Sequence, residues 1–349
     1  MISKLSEFVS EKCGVLLTSP HNMRYFSGFS GGEGAVIITQ DRRALFTDSR
    51  YVEQAADEAK NFEVINAGSW IAAAAEYVRE HGISELLFED ASMCVSTFEK
   101  LRGAAEGVRF CAASERLDTQ RAVKCGAEIE LLAKAEEIAS CAYEKILAHI
   151  RPGVSEAELA YELEGYMRRL GGEGTSFDTI VVSGKKSSLP HGRPDEKKIE
   201  YGDFVTMDFG CIYRGYCSDM TRTVVVGKAN AEQKKIYQTV LEAQKTGLNT
   251  IRAGVCAREA DRAARNVIEK AGYGRFFGHS LGHGVGLLIH ELPNLSPRSD
   301  TVLEENMIVT CEPGIYVPDF GGVRIEDMVC VKSGGCLNFT HADKALLEL

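Results

Sequence analysis

The chain has 349 residues, 44% hydrophobic and 26% charged, an ordinary folded composition that excludes general disorder and leaves room for two domains. Its formal net charge of −10 argues against nucleic acid or an anionic membrane as a partner, since both need a basic face. Residues 1–17 have no apolar core behind a basic start, and no later run reaches membrane-span length, so a cytoplasmic location is expected. Eleven cysteines, an odd number without a CxxC pair, fit reduced and mostly buried thiols, with Cys211, Cys217 and Cys311 as buried spacers.

In chain order, residues 35–39, 44–47, 62–65, 86–88 and 108–111 are short β-rich runs, and 52–60, 70–81 and 96–105 carry helical patterning. That alternation predicts an α/β domain. The pattern breaks into a polar, charged stretch over 114–124, which sets the boundary between domains at 1–118 and 119–349. "EIELLAKAEEIASCAYEKILAHI" then repeats apolar residues at helical spacing for about six turns, ended by Pro152 and Gly153. Ser155 with Glu158 forms a capping-box signature for the next helix, "SEAELAYELEGYMRRL".

"IRPGVSEAELA" at 150 recurs as "IRAGVCAREAD" at 251, and each copy is followed by a glycine-bearing turn, at Gly171 and Gly272. The second domain is therefore expected to contain two similar halves with a ligand crevice between them.

Between those halves, "YGDFVTMDFGCIYRGYCSDMTRTVVVG" predicts strands joined by a tight turn, with Asp208 and Asp219 set among apolar β residues. An ionised aspartate there is costly unless a cation or hydrogen bonds compensate. Glu312 ends the apolar run of "MIVTCEPGIYV", and Glu326 interrupts that of "GGVRIEDMVCV". "HSLGHGVGLLIHE" adds His279, His283 and His290, but Gly282, Gly284 and Gly286 favour an extended path, and no glutamate stands at Ser280 as a helical zinc peptidase motif requires. Four carboxylates and His283 make the donor set of a carboxylate-bridged pair of divalent ions: manganese first, with cobalt, zinc or iron as alternatives. A water held between two such ions would serve as the nucleophile, as hydroxide, near neutral pH.

The ordered set Asp208, Asp219, His283, Glu312 and Glu326 resembles the metal-ligand signature of the pita-bread metallopeptidases, family M24, which includes methionine aminopeptidase, aminopeptidase P and prolidase. "LPHGRP", "MDFGCIYRGYCSDMTRT", "GHSLGHGVG", "EPGIY" and "GGVRIED" are similar to blocks of its proline-specific branch, and "NMRYFSGFSG" with "LFTDSRY" to its N-terminal domain. The resemblance implies a creatinase-like α/β domain followed by a pita-bread α+β domain with internal pseudo-two-fold symmetry. It further implies that Asp208 chelates one ion, that His283 and Glu312 bind the other, and that Asp219 and Glu326 bridge them.

His191, His279 and His290 would contact substrate or steady the reacting centre, and Glu312 would pass a proton to the leaving nitrogen. Arg324, two residues before Glu326, is expected to share its strand face and to orient a bridging carboxylate or dock substrate. The implied activity is hydrolysis of Xaa-Pro bonds in small proline-containing peptides. A homodimer is implied too, in which residues 22–34 of one subunit limit substrate length in the other. Two other readings are a broader aminopeptidase and a metal-free peptide-binding module; relatives of the second kind lose ligands that all stand here.

Overall fold

The computed structural model describes all 349 residues, in two units, Met1–Arg121 and Ala122–Leu349. In the first, strands β1 (Cys13–Leu17), β2 (Ala35–Ile38), β3 (Arg43–Thr47), β4 (Glu63–Asn66), β5 (Glu85–Phe88) and β6 (Arg109–Ala112) form one sheet in the order β4-β3-β2-β1-β5-β6. The β1–β2 and β2–β3 pairs are antiparallel and the outer pairs parallel. Helices α1 (Pro20–Ser27), α2 (Val52–Glu58), α3 (Trp70–Glu80), α4 (Val95–Ala104) and α5 (Ser114–Ala122) complete the α/β unit.

Three of these elements lie outside the sequence reading. β1 is central and buried over its last four residues, so it shows no period-two alternation. α1 opens with Ser19, whose side chain accepts from the Asn22 N–H, followed by Pro20, a start signal that the sequence did carry. The charged stretch read as a break is α5, because Glu, Arg, Gln and Ala favour helix whatever their polarity.

In the second unit α6 (Gly126–Ile146) has the expected length but stops before Pro152, where a 3-10 turn, Leu147–His149, follows it. α7 (Glu156–Arg169) begins with the Ser155–Glu158 capping box. The repeat is real in backbone terms. The Gly153 and Gly254 N–H groups donate to the carbonyls of Ile199 and Leu303 at 2.9 and 2.8 Å. Ile199 and Leu303 in turn donate to Val154 and Val255 at 2.9 and 2.8 Å. Gly153 and Gly254 have φ of 90° and 85°, a left-handed turn that glycine adopts without strain.

β7 (Gly174–Thr175), β8 (Ile180–Ser183), β9 (Phe204–Phe209), β10 (Cys211–Tyr213), β11 (Tyr216–Cys217) and β12 (Met220–Val225) precede the second helix pair, α8 (Ala231–Thr250) and α9 (Ala257–Lys270). β13 (Gly282–Gly284), β14 (Glu291–Leu295), β15 (Ile308–Cys311), β16 (Gly314–Val317), β17 (Gly321–Arg324), β18 (Asp327–Lys332) and β19 (Gly335–Asn338) follow. The main sheets run β12-β9-β8 and β14-β13-β15-β18-β19, antiparallel throughout.

Each sheet rests on a helix pair. Ala135, Ile138, Leu159 and Leu163 of α6 and α7 cluster with Val181, Val205, Met207 and Val224. Ile236, Val240, Ala260 and Ala264 of α8 and α9 cluster with Val309, Val323 and Val329. Each larger aliphatic side chain so buried contributes about 1.5–3 kcal/mol, which holds the strand ends in place. All eleven cysteines are unpaired; four are buried, Cys211, Cys217 and Cys311 among them, so the expectation of mostly buried thiols was too broad.

Candidate metal centre

Strand register brings the carboxylates together in pairs. Phe209 of β9 faces Met220 of β12, so Asp208 and Asp219 lie at the same end of that ladder. Cys311 of β15 faces Asp327 of β18, which puts Glu312 and Glu326, the residues just beyond, at one end of theirs. The Glu326 N–H donates to the Thr221 carbonyl at 3.1 Å, tying one ladder to the other.

His283 lies in β13, confirming the extended path, and a register shift follows it that re-aims its side chain. Its glycine neighbours are required by close approach. A Cβ at Gly282 would run into the Thr310 carbonyl, and one at Gly284 into the carbonyl of Leu292.

Ligand atoms of Asp219, His283 and Glu326 all lie within 4.8 Å of one another. His283 Nε2 is 3.4 Å from both Asp219 Oδ2 and Glu312 Oε1. Its Nδ1 meets the Gly284 carbonyl at 3.1 Å; since a carbonyl only accepts, Nδ1 carries a hydrogen, and Nε2 is the ring atom that faces the carboxylates. Asp208 Oδ1 and Glu326 Oε1 are buried with no hydrogen-bond partner. Acceptor atoms thus crowd together with two of the set's oxygens unpartnered, an arrangement that a cation satisfies and that buried polar groups otherwise avoid.

Burial, followed by the charge of neighbouring carboxylates, raises the carboxyls of Asp219 and Glu326 well above their ordinary range. Burial also raises Glu312, against the pull of His283 and Arg324. Glu136 of α6, wholly buried, accepts from the Asp219 N–H at 3.2 Å and from Thr340 Oγ1 at 2.7 Å, and burial lifts it to about 8. Between the ordinary carboxyl range and these raised values the folded protein holds protons that the unfolded chain has released. Stability of the metal-free protein is therefore expected to fall as pH rises from about 5 to 8, by up to about 1.4 kcal/mol per pH unit for each such group. Calorimetric melting across that range checks this; a flat or rising profile without metal, or an equal slope with saturating divalent cation, counts against it.

Arg324 is buried and does not share a strand face with Glu326. β17 ends at Arg324, and Glu326 lies in a two-residue break before β18, so the period-two rule does not relate them. They meet through Thr221, whose Oγ1 accepts from Arg324 Nε at 3.0 Å and donates to Glu326 Oε2 at 2.7 Å. The remaining guanidinium nitrogens donate to Asp208 Oδ2 at 2.5 Å and to the Tyr316 hydroxyl at 2.7 Å.

Tyr316 lies 2.9 Å from His279 Nε2, while His279 Nδ1 meets the Ser280 carbonyl at 2.8 Å. By the same donor logic Nδ1 carries the hydrogen, and Nε2 accepts from the tyrosine. Burial, with Arg324 nearby, pushes His279 down to about 4, so it is neutral at physiological pH. The His290 ring lies 4.4 Å from that of His283, and burial lowers its affinity for a proton. His191 is exposed in a turn and lies within electrostatic reach of His279 and His290. Tyr316, Thr221 and Glu136 were not singled out from sequence; the tyrosine stands in the quoted "EPGIY", where only its hydroxyl marked it as an unusual core residue.

Comparison with known proteins gives a consistent result. A model of metallopeptidase family M24 matches residues 130–333, and one of the creatinase/prolidase N-terminal domain matches residues 10–123. An Xaa-Pro dipeptidase structure from Bacillus anthracis superposes with a TM-score of 0.97 at 48% identity, covering 100% of this chain and 99% of that one. An X-Pro aminopeptidase structure from Thermotoga maritima gives 0.92 at 38% identity, with 99% of each chain covered. The Xaa-Pro dipeptidase of Pyrococcus furiosus is 39% identical over 99% of both chains.

Proposed function

The chain belongs to metallopeptidase family M24, and from that premise we propose that it is a metal-dependent Xaa-Pro peptidase whose centre is built by Asp208, Asp219, His283, Glu312 and Glu326. The observation that carries this is the convergence of His283 Nε2 with the carboxylates of Asp219, Glu312 and Glu326, while Asp208 Oδ1 and Glu326 Oε1 are buried without a partner. Asp208 would hold one ion, His283 and Glu312 the other, with Asp219 and Glu326 available to both. Manganese suits a set of four oxygen donors and one imidazole. When bound, the ion pair supplies Lewis acidity and a nucleophile drawn from water at neutral pH.

The residues of this chain do the rest. An Xaa-Pro bond is a tertiary amide whose nitrogen has no hydrogen for a strand-like groove and must gain a proton to leave. Glu312, whose Oε1 lies 3.4 Å from His283 Nε2, would pass that proton from the nucleophilic water to the leaving nitrogen. His191 and His290, the exposed histidines beside the centre, bind the substrate. Neutral His279 and Tyr316 keep Arg324 fixed on Asp208, so that this carboxylate stays aimed.

Residues 119–349 form the catalytic domain and residues 1–118 the N-terminal domain, in a cytoplasmic homodimer that takes small proline-containing peptides. Net charge supports the absence of nucleic acid among its partners, and no helix is long and apolar enough to cross a membrane. The test is hydrolysis of Gly-Pro and Gly-Pro-Pro by chelator-stripped protein before and after Mn(II) is added. Metal-dependent cleavage is expected, and the two rates separate a dipeptidase from an enzyme of longer peptides. Equal turnover with and without metal, or none of either peptide, refutes the reading.

A further inference from the structure

Arg222 is the bulkiest side chain that is fully buried in this protein, and none of the chemistry above uses it. Its five N–H groups all have acceptors. Nε donates to the Asp343 carbonyl at 3.1 Å, and Nη2 to Asp327 Oδ1 and the Ala342 carbonyl, both at 2.8 Å. Nη1 donates to the carbonyls of Thr221 at 2.9 Å and Glu326 at 2.5 Å. Asp327, equally buried, takes further bonds on Oδ2 from Gln244 at 2.9 Å, Asn338 at 2.7 Å and Lys344.

A buried ion pair of this kind adds little net stability, because the desolvation of both charges offsets their attraction. What it does supply is geometry. One nitrogen of Arg222 holds the backbone two residues beyond Asp219 and the backbone of Glu326 itself, the two carboxylates assigned above as bridging ligands. An aliphatic side chain of the same bulk would fill the space without tying those carbonyls together. Asp327 fixes the guanidinium from behind, and residues 342–344 brace the pair.

We propose that Arg222 and Asp327 are positioning residues that set the spacing of Asp219 and Glu326, and thereby the affinity of the centre for its second ion. This rests on the peptidase reading. A shared carboxylate serves two ions only if its segment is held to about 0.5 Å, and outer partners of metal ligands commonly govern affinity by 10–100-fold.

The test compares wild type with Arg222→Lys and with the paired replacement Arg222→Met and Asp327→Leu. Manganese uptake is followed by isothermal titration, melting is measured without metal, and kcat and KM are determined on Gly-Pro. The paired variant is expected to melt below wild type, because the carbonyls of Thr221, Glu326, Ala342 and Asp343 lose their donors and Gln244, Asn338 and Lys344 their acceptor, so titrations are run on folded protein well below its melting temperature. Its second equivalent of manganese should bind about tenfold or more weakly, with kcat reduced and KM little changed. Arg222→Lys, with one charge kept and fewer donors, should fall between the two, and it carries the test alone if the paired variant does not fold. Wild-type affinity for both equivalents at wild-type kcat in the folded variants overturns the inference while leaving the peptidase reading intact. A wild-type protein that binds no manganese overturns both.

Discussion

The variant Asp219→Asn is expected to lose about 10³-fold or more in kcat/KM on Gly-Pro, and to retain less than the two equivalents of metal proposed for wild type. The amide preserves size but removes one charge and the second strong donor oxygen from a carboxylate assigned to both ions. The same change should raise the melting temperature of the metal-free protein. Burial and the charges of Asp208 and Glu312 hold the Asp219 carboxyl well above its ordinary range, so its ionised form is disfavoured there, and a neutral amide avoids the proton uptake that folding demands of the acid. Opposite signs for metal-free stability and for activity distinguish a functional carboxylate from a structural one. Melting curves and metal analysis by atomic emission, beside kinetics, read out all three quantities; near-normal turnover, or a stability loss without metal, would exclude the assigned role.

Arg324→Met is expected to reduce kcat by about 10²–10³-fold and to destabilise the protein by about 3–5 kcal/mol, the range for removing one partner of a buried pair. The guanidinium is buried, and it holds Asp208, Thr221 and Tyr316 at once. Without it Asp208 loses its one protein counter-charge, and Tyr316 loses the donor that orients its hydroxyl toward His279. Because a divalent cation held at the proposed centre would neutralise Asp208, the stability deficit should shrink on adding metal while the rate deficit persists. Denaturant unfolding with and without Mn(II), alongside steady-state kinetics, checks both. An unchanged kcat would show that Arg324 acts on packing alone.

The local signals in this chain were strong where a rule is local. Ser155 and Glu158 sit three residues apart and form the capping box they predict, and the repeated Ile-Arg-x-Gly-Val motif makes the same turn in both copies. Carboxylates in apolar strands were legible because alternation and hydrophobicity leave an ionised side chain there without a bland explanation. β1 was missed because a buried central strand has no alternation, and α5 because its polarity was mistaken for lack of structure.

By itself the amino-acid order determined the α/β character of the first unit, the doubled helical motif of the second and the kinds of side chain gathered for chemistry. Only the tertiary structure decided which of them touch. Thr221 meets Glu326 across 105 positions, Arg324 meets Asp208 across 116, and Glu136 meets Thr340 across 204. Such partnerships arise when strand ladders and helix pairs close over a shared core, and neither the 3.6-residue nor the two-residue period carries information over such separations. The loneliness of Asp208 Oδ1 and Glu326 Oε1 is a property of that enclosure, since the same oxygens in the open chain would be hydrated by water.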